Sequence, residues 1–258
     1  MADGSIKPDP VDEFYVGYLP TPPRHSRLLR AVAAVLLATA VTSGVIIAAS
    51  QQDPGGGVWE VDREHVAEGT LFLEPYPLVL VDGRPVLLTG ADKQGVADRV
   101  RGWDGRRVRV HGHPVTRGEL RMMSLAERDE PIVVIGGAAA QGAAPQAGAT
   151  AGSRVTLRGE IIDPKCYAGA MKPGGGKAHR GCAVLCLRGG IPPVLISAAP
   201  GGAMTHDVLV DGQGRPLTGE ALEAILPYVA DAVEVTGVRD RRYGLRLLRI
   251  EAGAVRRL

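Results

Sequence analysis

The sequence predicts a mainly β chain: an N-terminal transmembrane helix, then two small β-barrel modules, the second carrying a cysteine- and glycine-rich insertion. Three observations lead there. Residues 31–50 run for twenty positions without a charge. Beyond residue 57 the chain falls into short segments of alternating apolar and polar residues, punctuated by glycine and proline. The order of those segments is repeated once.

The bulk composition sets the outer limits. A chain of 258 residues with 45% apolar content can bury two modest cores. Thirty basic against 28 acidic residues leave a formal charge of +2, and aromatic residues are only 4%. Neither the field nor the stacking surface of a nucleic-acid binder is present, so no nucleic-acid partner is expected.

The uncharged run "AVAAVLLATAVTSGVIIAAS" has the length of a bilayer span, since about 20 residues at 1.5 Å rise cross ~30 Å of hydrocarbon. Arg24, Arg27 and Arg30 crowd its N-terminal flank, and only Arg63 is basic in the fifteen positions after it. The positive-inside bias then places residues 1–30 in the cytoplasm and everything after residue 50 outside, as in a single-pass protein of a bacterial cytoplasmic (inner) membrane with periplasmic C-terminal domains. A cleavable signal peptide, with Ala48 and Ser50 at the cut, is the competing reading, but its charged region would be 30 residues long and its apolar region about twice the usual length. Ala40, Gly44 and Ala48 form a small-xxx-small ridge suited to another transmembrane helix. In the tail, "DEFYVGYLPTPP" (12–23) sets Phe14, Tyr15 and Tyr18 among prolines, as interfacial anchors or as a docking peptide for a membrane partner.

Strands are expected at 70–73, 78–81, 85–89, 107–111, 120–125 and 132–135, with a helix at 91–101, giving a first module over 51–136. Residues 137–153 carry neither a large apolar side chain nor, before Arg154, a charge, and read as a flexible linker reaching roughly 24 Å. A second module follows over 154–258. "GRRVRVHGHPVTRGELRMMSLAE" (105–127) and "ADAVEVTGVRDRRYGLRLLRIEA" (230–252) share strand, glycine, polar turn, glycine and strand in one order. Upstream, "VLVDGRPVLLTG" matches "VLVDGQGRPLTG", and a helix is expected at 218–229 as at 91–101. The duplicated unit of five or six strands and one helix resembles an OB-type barrel, a scaffold that does not by itself specify a function.

The second copy departs from the first at residues 163–193, between strand "RVTLRGEIID" and strand "PVLIS". This insertion holds all three cysteines of the chain, an odd number that no internal disulfide uses up. His179, Cys182 and Cys186 follow i, i+3, i+7 spacing, which on a helix puts them within ~60° of one another. Cys166 and Met171, brought back by the flexible "PGGG", complete a soft donor set suited to copper or zinc. Lys165, Lys172, Lys177, Arg180 and Arg188, with no acidic residue among them, make a positive field that favours thiolates. The same segment offers a weaker anion site at Lys177 and Arg180.

Covalent haem is excluded by the lack of C-x-x-C-H, and the thioredoxin and zinc-ribbon patterns are absent as well. The C-x-x-x-C with a nearby histidine is similar in donor set to the copper sites of cytochrome oxidase subunit II and its copper-delivery proteins. The anchor, the "FYVGYLP" tail and "DPKCYAGAMKPGGGKAHRGCAVLC" together resemble a poorly characterised family of bacterial membrane-anchored proteins. That resemblance implies no activity.

Two other uses of the cysteines stay open: a disulfide from Cys166 to Cys182 or Cys186, worth about 3 kcal/mol to a loop of this size, and thiol exchange. His111 and His113 share a strand face at a spacing zinc can use, whereas His65 and His206 lack companion donors and read as surface residues. Trp59 and Trp103 are expected to pack the first barrel. No hydrolase or kinase constellation is defensible from spacing. The expected function is an electron-transfer or assembly subunit beside an integral membrane partner in a respiratory complex, with a purely structural, disulfide-stapled subunit and a thiol oxidoreductase as alternatives.

Overall fold

The computed structural model describes residues 23–50, 56–138, 152–199 and 202–258, in two compact units, Met1–Asp53 and Pro54–Leu258. The tail aromatics and most of the expected linker, 139–151, lie outside the described residues.

The first unit holds helix α1, Pro23–Ser50, within which His25–Ala49 is long and apolar enough to cross a membrane, with a mean hydropathy of 2.3. The helix starts eight positions before the uncharged run. Proline is favoured in a first turn, where its missing N–H costs nothing, and arginine is a good helix former. Arg30 also donates back to the Ser26 carbonyl at 3.1 Å and hydroxyl at 3.3 Å. The boundary between tail and helix therefore lies at Pro23 and not at residue 31.

The second unit is built from two barrels. The first contains β1 (Val58–Trp59), β2 (His65–Phe72), β3 (Leu78–Val81), β4 (Arg84–Thr89), β5 (Arg106–Arg117), β6 (Leu120–Leu125) and β7 (Ile132–Ala138). The second contains β8 (Ser153–Ile162), β9 (Val194–Ala198), β10 (Met204–Asp211), β11 (Ala232–Arg242), β12 (Leu245–Ile250) and β13 (Val255–Arg257). Strands β5-β2-β3-β4-β6 close back onto β5, and β11-β8-β9-β10-β12 close back onto β11. In the two rings β4 and β6, and β10 and β12, are parallel, Leu87 beside Met122 and Val208 beside Leu247, and every other pairing is antiparallel. The chain is thus mainly β, with two closed five-stranded OB-like modules of the same connectivity. The short β1, absent from the expected strands, adds to the edge of β5.

Both faces of several strands are buried. Leu71, Val79, Leu88, Val108 and Met123 fill the first barrel, and Leu195, Leu209, Val233 and Leu248 fill the second. Their neighbours, Phe72, Leu78, Leu87 and Met122 from one module and Val194, Val208, Val210 and Leu247 from the other, form a third core between the barrels. Period-2 alternation sends successive apolar residues to opposite faces, so a fully apolar run such as "LVL" serves two cores. Trp59 packs on the shared core and Trp103 on the first barrel's own. Tyr76 crosses this seam: its hydroxyl donates to the Leu209 carbonyl at 3.1 Å and accepts the Leu217 N–H at 2.9 Å.

The helix expected at 218–229 is α3, Gly219–Ile225, extended by a 3₁₀ turn to Tyr228. The helix expected at 91–101 is instead a series of turns. Its first carbonyls, Gly90, Ala91 and Asp92, accept from the Lys165 ammonium, and the Gly95 N–H goes to Gly189. A segment whose backbone groups are committed to tertiary partners has none left for a helical ladder.

Because the modules share a core, the Pro54–Leu258 unit should unfold in one transition. Replacing Tyr76 by Phe strands the buried Leu217 N–H and should cost about 1–3 kcal/mol, read from the urea midpoint of the full chain in neutral detergent without loss of cooperativity.

Candidate functional site

The first module joins β2 to β3 through five residues, 73–77, whereas the second joins β8 to β9 through residues 163–193. That insertion makes a single π-type turn at Cys166–Ala170, a 3₁₀ turn at Lys177–His179 and helix α2, Arg180–Arg188. Asp163 starts it. Fully buried, Asp163 accepts the Cys166 N–H on Oδ1 at 2.9 Å and meets His179 Nε2 with Oδ2 at 2.9 Å. One carboxylate thereby sets the positions of two candidate ligands. Gly174 turns the chain back directly over the Cys166 carbonyl, into which any Cβ would run. Glu160 then receives the Gly176 N–H at 2.6 Å, and burial pushes its carboxyl above the usual range.

Helix α2 is two-sided. Ala183 and Leu187 enter the second barrel's core, while Cys182 and Cys186 gather with Cys166 and Ile191 in a separate small cluster. The donor atoms of Cys166, His179 and Cys182 all lie within 4.8 Å of one another, and so do those of Asp163, Cys166 and Cys186. Cys166 belongs to both groups. A tetrahedral zinc or copper centre with ~2.3 Å bonds to sulfur separates its sulfurs by ~3.8 Å, so within each of these two groups the donors stand within about 1 Å of the spacing an ion needs. With Nε2 held by Asp163, His179 keeps Nδ1 for an ion, the carboxylate–histidine pairing that orients metal-bound imidazoles.

All three cysteines are free thiols. The neighbouring Cys166 thiol, with the Lys93 charge and the Cys182 thiol, lowers the pKa of Cys186 below that of an ordinary thiol. Cys166 is raised by the same Cys186 contact, by burial and by the Asp163 carboxylate. The cluster thus concentrates thiolate character on Cys186 and keeps the proton on Cys166.

The cation at this cluster comes from the other module. Lys93, in the turns after β4, places its ammonium 2.8 Å from Cys182 Sγ. Two contacts hold that loop in place. Lys165, only 4% exposed, gives its three protons to the Gly90, Ala91 and Asp92 carbonyls at 2.7 Å each. Gly95 and Gly189 sit against the Gly190 and Lys93 carbonyls where a Cβ would collide.

The other expected site residues are placed differently. Met171 is 47% exposed at the end of the π-type turn, whereas Cys166 and Cys186 are buried, and Asp163 is the further donor beside them. Lys177 and Arg180 turn to Asp231 at 3.9 and 3.5 Å, and Arg180 also donates to the Pro227 carbonyl. Arg188 is paired with Glu223. His111 and His113 are engaged separately, His111 with Glu64 and Arg128, His113 with the Glu60 and Arg63 carbonyls. His65 pairs with Glu60, while His206, expected on the surface, is buried at 7% exposure in β10. Asp163 stood next to the cysteine motif in the sequence, but no sequence signal points to Lys93.

In the metal-free protein, thiolate absorbance at 240 nm should rise in separate steps, the first below the ~8.5 of an ordinary thiol and another above it. Lys93→Met should move the first step upward. Since the Cys186 pKa is depressed in the fold, its contribution to stability is present above the unfolded thiol value and is lost as pH falls through the folded one. Lys165→Met takes the ammonium from the Ala91 and Asp92 carbonyls and leaves Gly90 with only the Ser124 hydroxyl; it should cost about 1–3 kcal/mol, with faster amide exchange over residues 90–96.

Comparison of the chain with protein-family models, with curated proteins and with solved structures gives no match, so the reading of this site rests on its own geometry.

Proposed function

We propose that this protein is a membrane-anchored carrier of one soft metal ion, copper or zinc, bound by Cys166, His179, Cys182 and Cys186. The observation that carries this reading is the approach of Cys166, His179 and Cys182 donor atoms to within 4.8 Å of one another from the π-type turn, the 3₁₀ turn and helix α2 of the insertion. Asp163 orients the imidazole, Cys186 supplies thiolate and Lys93 offsets the negative charge that two or three thiolates would bring.

Arg24, Arg27 and Arg30, in the first turns of α1 ahead of its uncharged run, support a cytoplasmic N-terminus, which would put the barrels on the outer face of a bacterial cytoplasmic membrane. A buried soft-metal centre on a single-pass anchor fits electron transfer to, or assembly of, an integral membrane partner better than turnover of a free substrate. Thiol exchange is the second reading, favoured by the mutual contact of three free thiols and the depressed pKa of Cys186.

Metal analysis and thiol counting on the full chain in neutral detergent separate these. The metal reading expects one stoichiometric copper or zinc ion, lost in Cys182→Ser and in His179→Ala but kept in Lys177→Ala. One disulfide plus one free thiol and no ion, before and after reconstitution with either metal, would overturn it in favour of a stapled scaffold. Alkylation of Cys182 or Cys186 many times faster than a free thiol, again without an ion, would favour exchange.

A further inference from the structure

His206 lies in β10, on the side of the second barrel that faces the first. It is buried, yet neither ring nitrogen has a hydrogen-bond partner. A buried imidazole with both nitrogens unmatched is costly unless something else meets them. Its surroundings do not. The Tyr167 ring lies 5.7 Å away at a tilt, and the neighbouring Asp207 is occupied by Arg239 at 2.8 and 2.6 Å.

The imidazole instead lines a cleft of about 210 Å³ between the modules, together with Arg84, Glu119, Arg121, Arg241 and Arg246. The charge balance of that cleft is one-sided. Arg246 bridges the modules to Glu119, the single carboxylate among the lining residues. Arg84, Arg121 and Arg241 are exposed, and no carboxylate among the described residues pairs with them. Arg241 makes only a 3.5 Å contact with the Gly244 carbonyl. Three unpaired guanidinium groups over a buried donor form a concave positive site, and the duplication contributes to it: Arg121 and Arg246 occupy the same position, after the leading leucine, of β6 and β12.

We infer that this cleft is a binding site for a phosphate group, held by Arg84, Arg121 and Arg241 from the rim and by His206 from the floor. Guanidinium forks match the oxygens of a tetrahedral oxyanion in bidentate fashion. Burial holds the imidazole below its usual pKa, which keeps it neutral with one N–H to donate. The volume is below the ~300–1,000 Å³ of pockets for larger organic ligands, so the bound part is compact, either free phosphate or a phosphate headgroup whose remainder lies outside. The site is separate from the cysteine cluster and does not depend on how that cluster is used.

Calorimetry on the full chain in neutral maltoside micelles at fixed ionic strength tests this, with inorganic phosphate in one arm and phosphatidic acid, against phosphatidylcholine, in mixed micelles in the other. Saturable one-site binding is expected in at least one arm, and the arm identifies the source. Arg84→Gln and Arg121→Gln, exposed and unpaired in the fold, should each weaken it about tenfold, and His206→Leu by a similar factor. The absence of saturable binding in both arms overturns the inference, as does binding that persists unchanged in the combined Arg84→Gln, Arg121→Gln, Arg241→Gln variant.

Discussion

The ammonium of Lys165 sits buried between the modules with a carbonyl oxygen of the opposite loop on each of its three protons. A desolvated cation of this kind is tolerable only when every donor is satisfied at once. The loop over Gly90, Ala91 and Asp92 therefore has a single acceptable position relative to the insertion, and Lys93, the next residue, is delivered to Cys182. Helix α2, seated in the second barrel's core by Ala183 and Leu187, and the π-type turn, held by Asp163, supply the other side of this contact. The resulting site belongs to neither barrel alone.

Charge is distributed in a way that net totals conceal. Of the five cations within the insertion, Lys165 serves the loop, Arg188 takes Glu223, and Lys177 and Arg180 face Asp231. The positive charge that acts on the thiols arrives from across the seam, as does the Arg117 donor to the Tyr167 carbonyl that steadies the residue next to Cys166. At the opposite end of the insertion Asp163 is the sole carboxylate in the small cluster, and it is committed to a backbone N–H and an imidazole. Proton holding on Cys166 and thiolate on Cys186 follow first from the contact between those two thiols, with the Lys93 charge favouring the thiolate and the Asp163 carboxylate opposing it.

The same seam accounts for the second site. Duplication of a barrel yields two copies of each hairpin, and packing the copies face to face brings the β5–β6 and β11–β12 hairpins to a common cleft, where Arg246 takes Glu119 and Arg121 and Arg241 have no carboxylate among the described residues. Each strand that contributes to the shared core carries apolar residues on both faces, so the rim of the seam is where polar side chains concentrate. His206 is in the core by its burial and at the rim by its lining of the cleft, a combination that leaves its nitrogens unmet.

How much was legible in advance follows the range of each interaction. Uncharged length marked α1, period-2 alternation marked most strands to within a few residues, and internal repetition marked two modules of one topology, because all three are properties of neighbouring residues. The i, i+3, i+7 spacing of His179, Cys182 and Cys186 likewise placed them on one side of a helix, and an odd cysteine count argued that something other than a single disulfide gathers them. Tertiary structure alone decided the rest. The 91–101 segment has a helical pattern but loses its carbonyls to Lys165. Met171 follows the soft-donor logic yet stands exposed, while Asp163 takes the place beside the thiols. Lys93 meets Cys182 across 89 residues of sequence, and His206 is surrounded by Tyr167, Arg241 and the first module's Arg84 and Arg121, none of them a sequence neighbour; contacts at such separations leave no trace in local pattern.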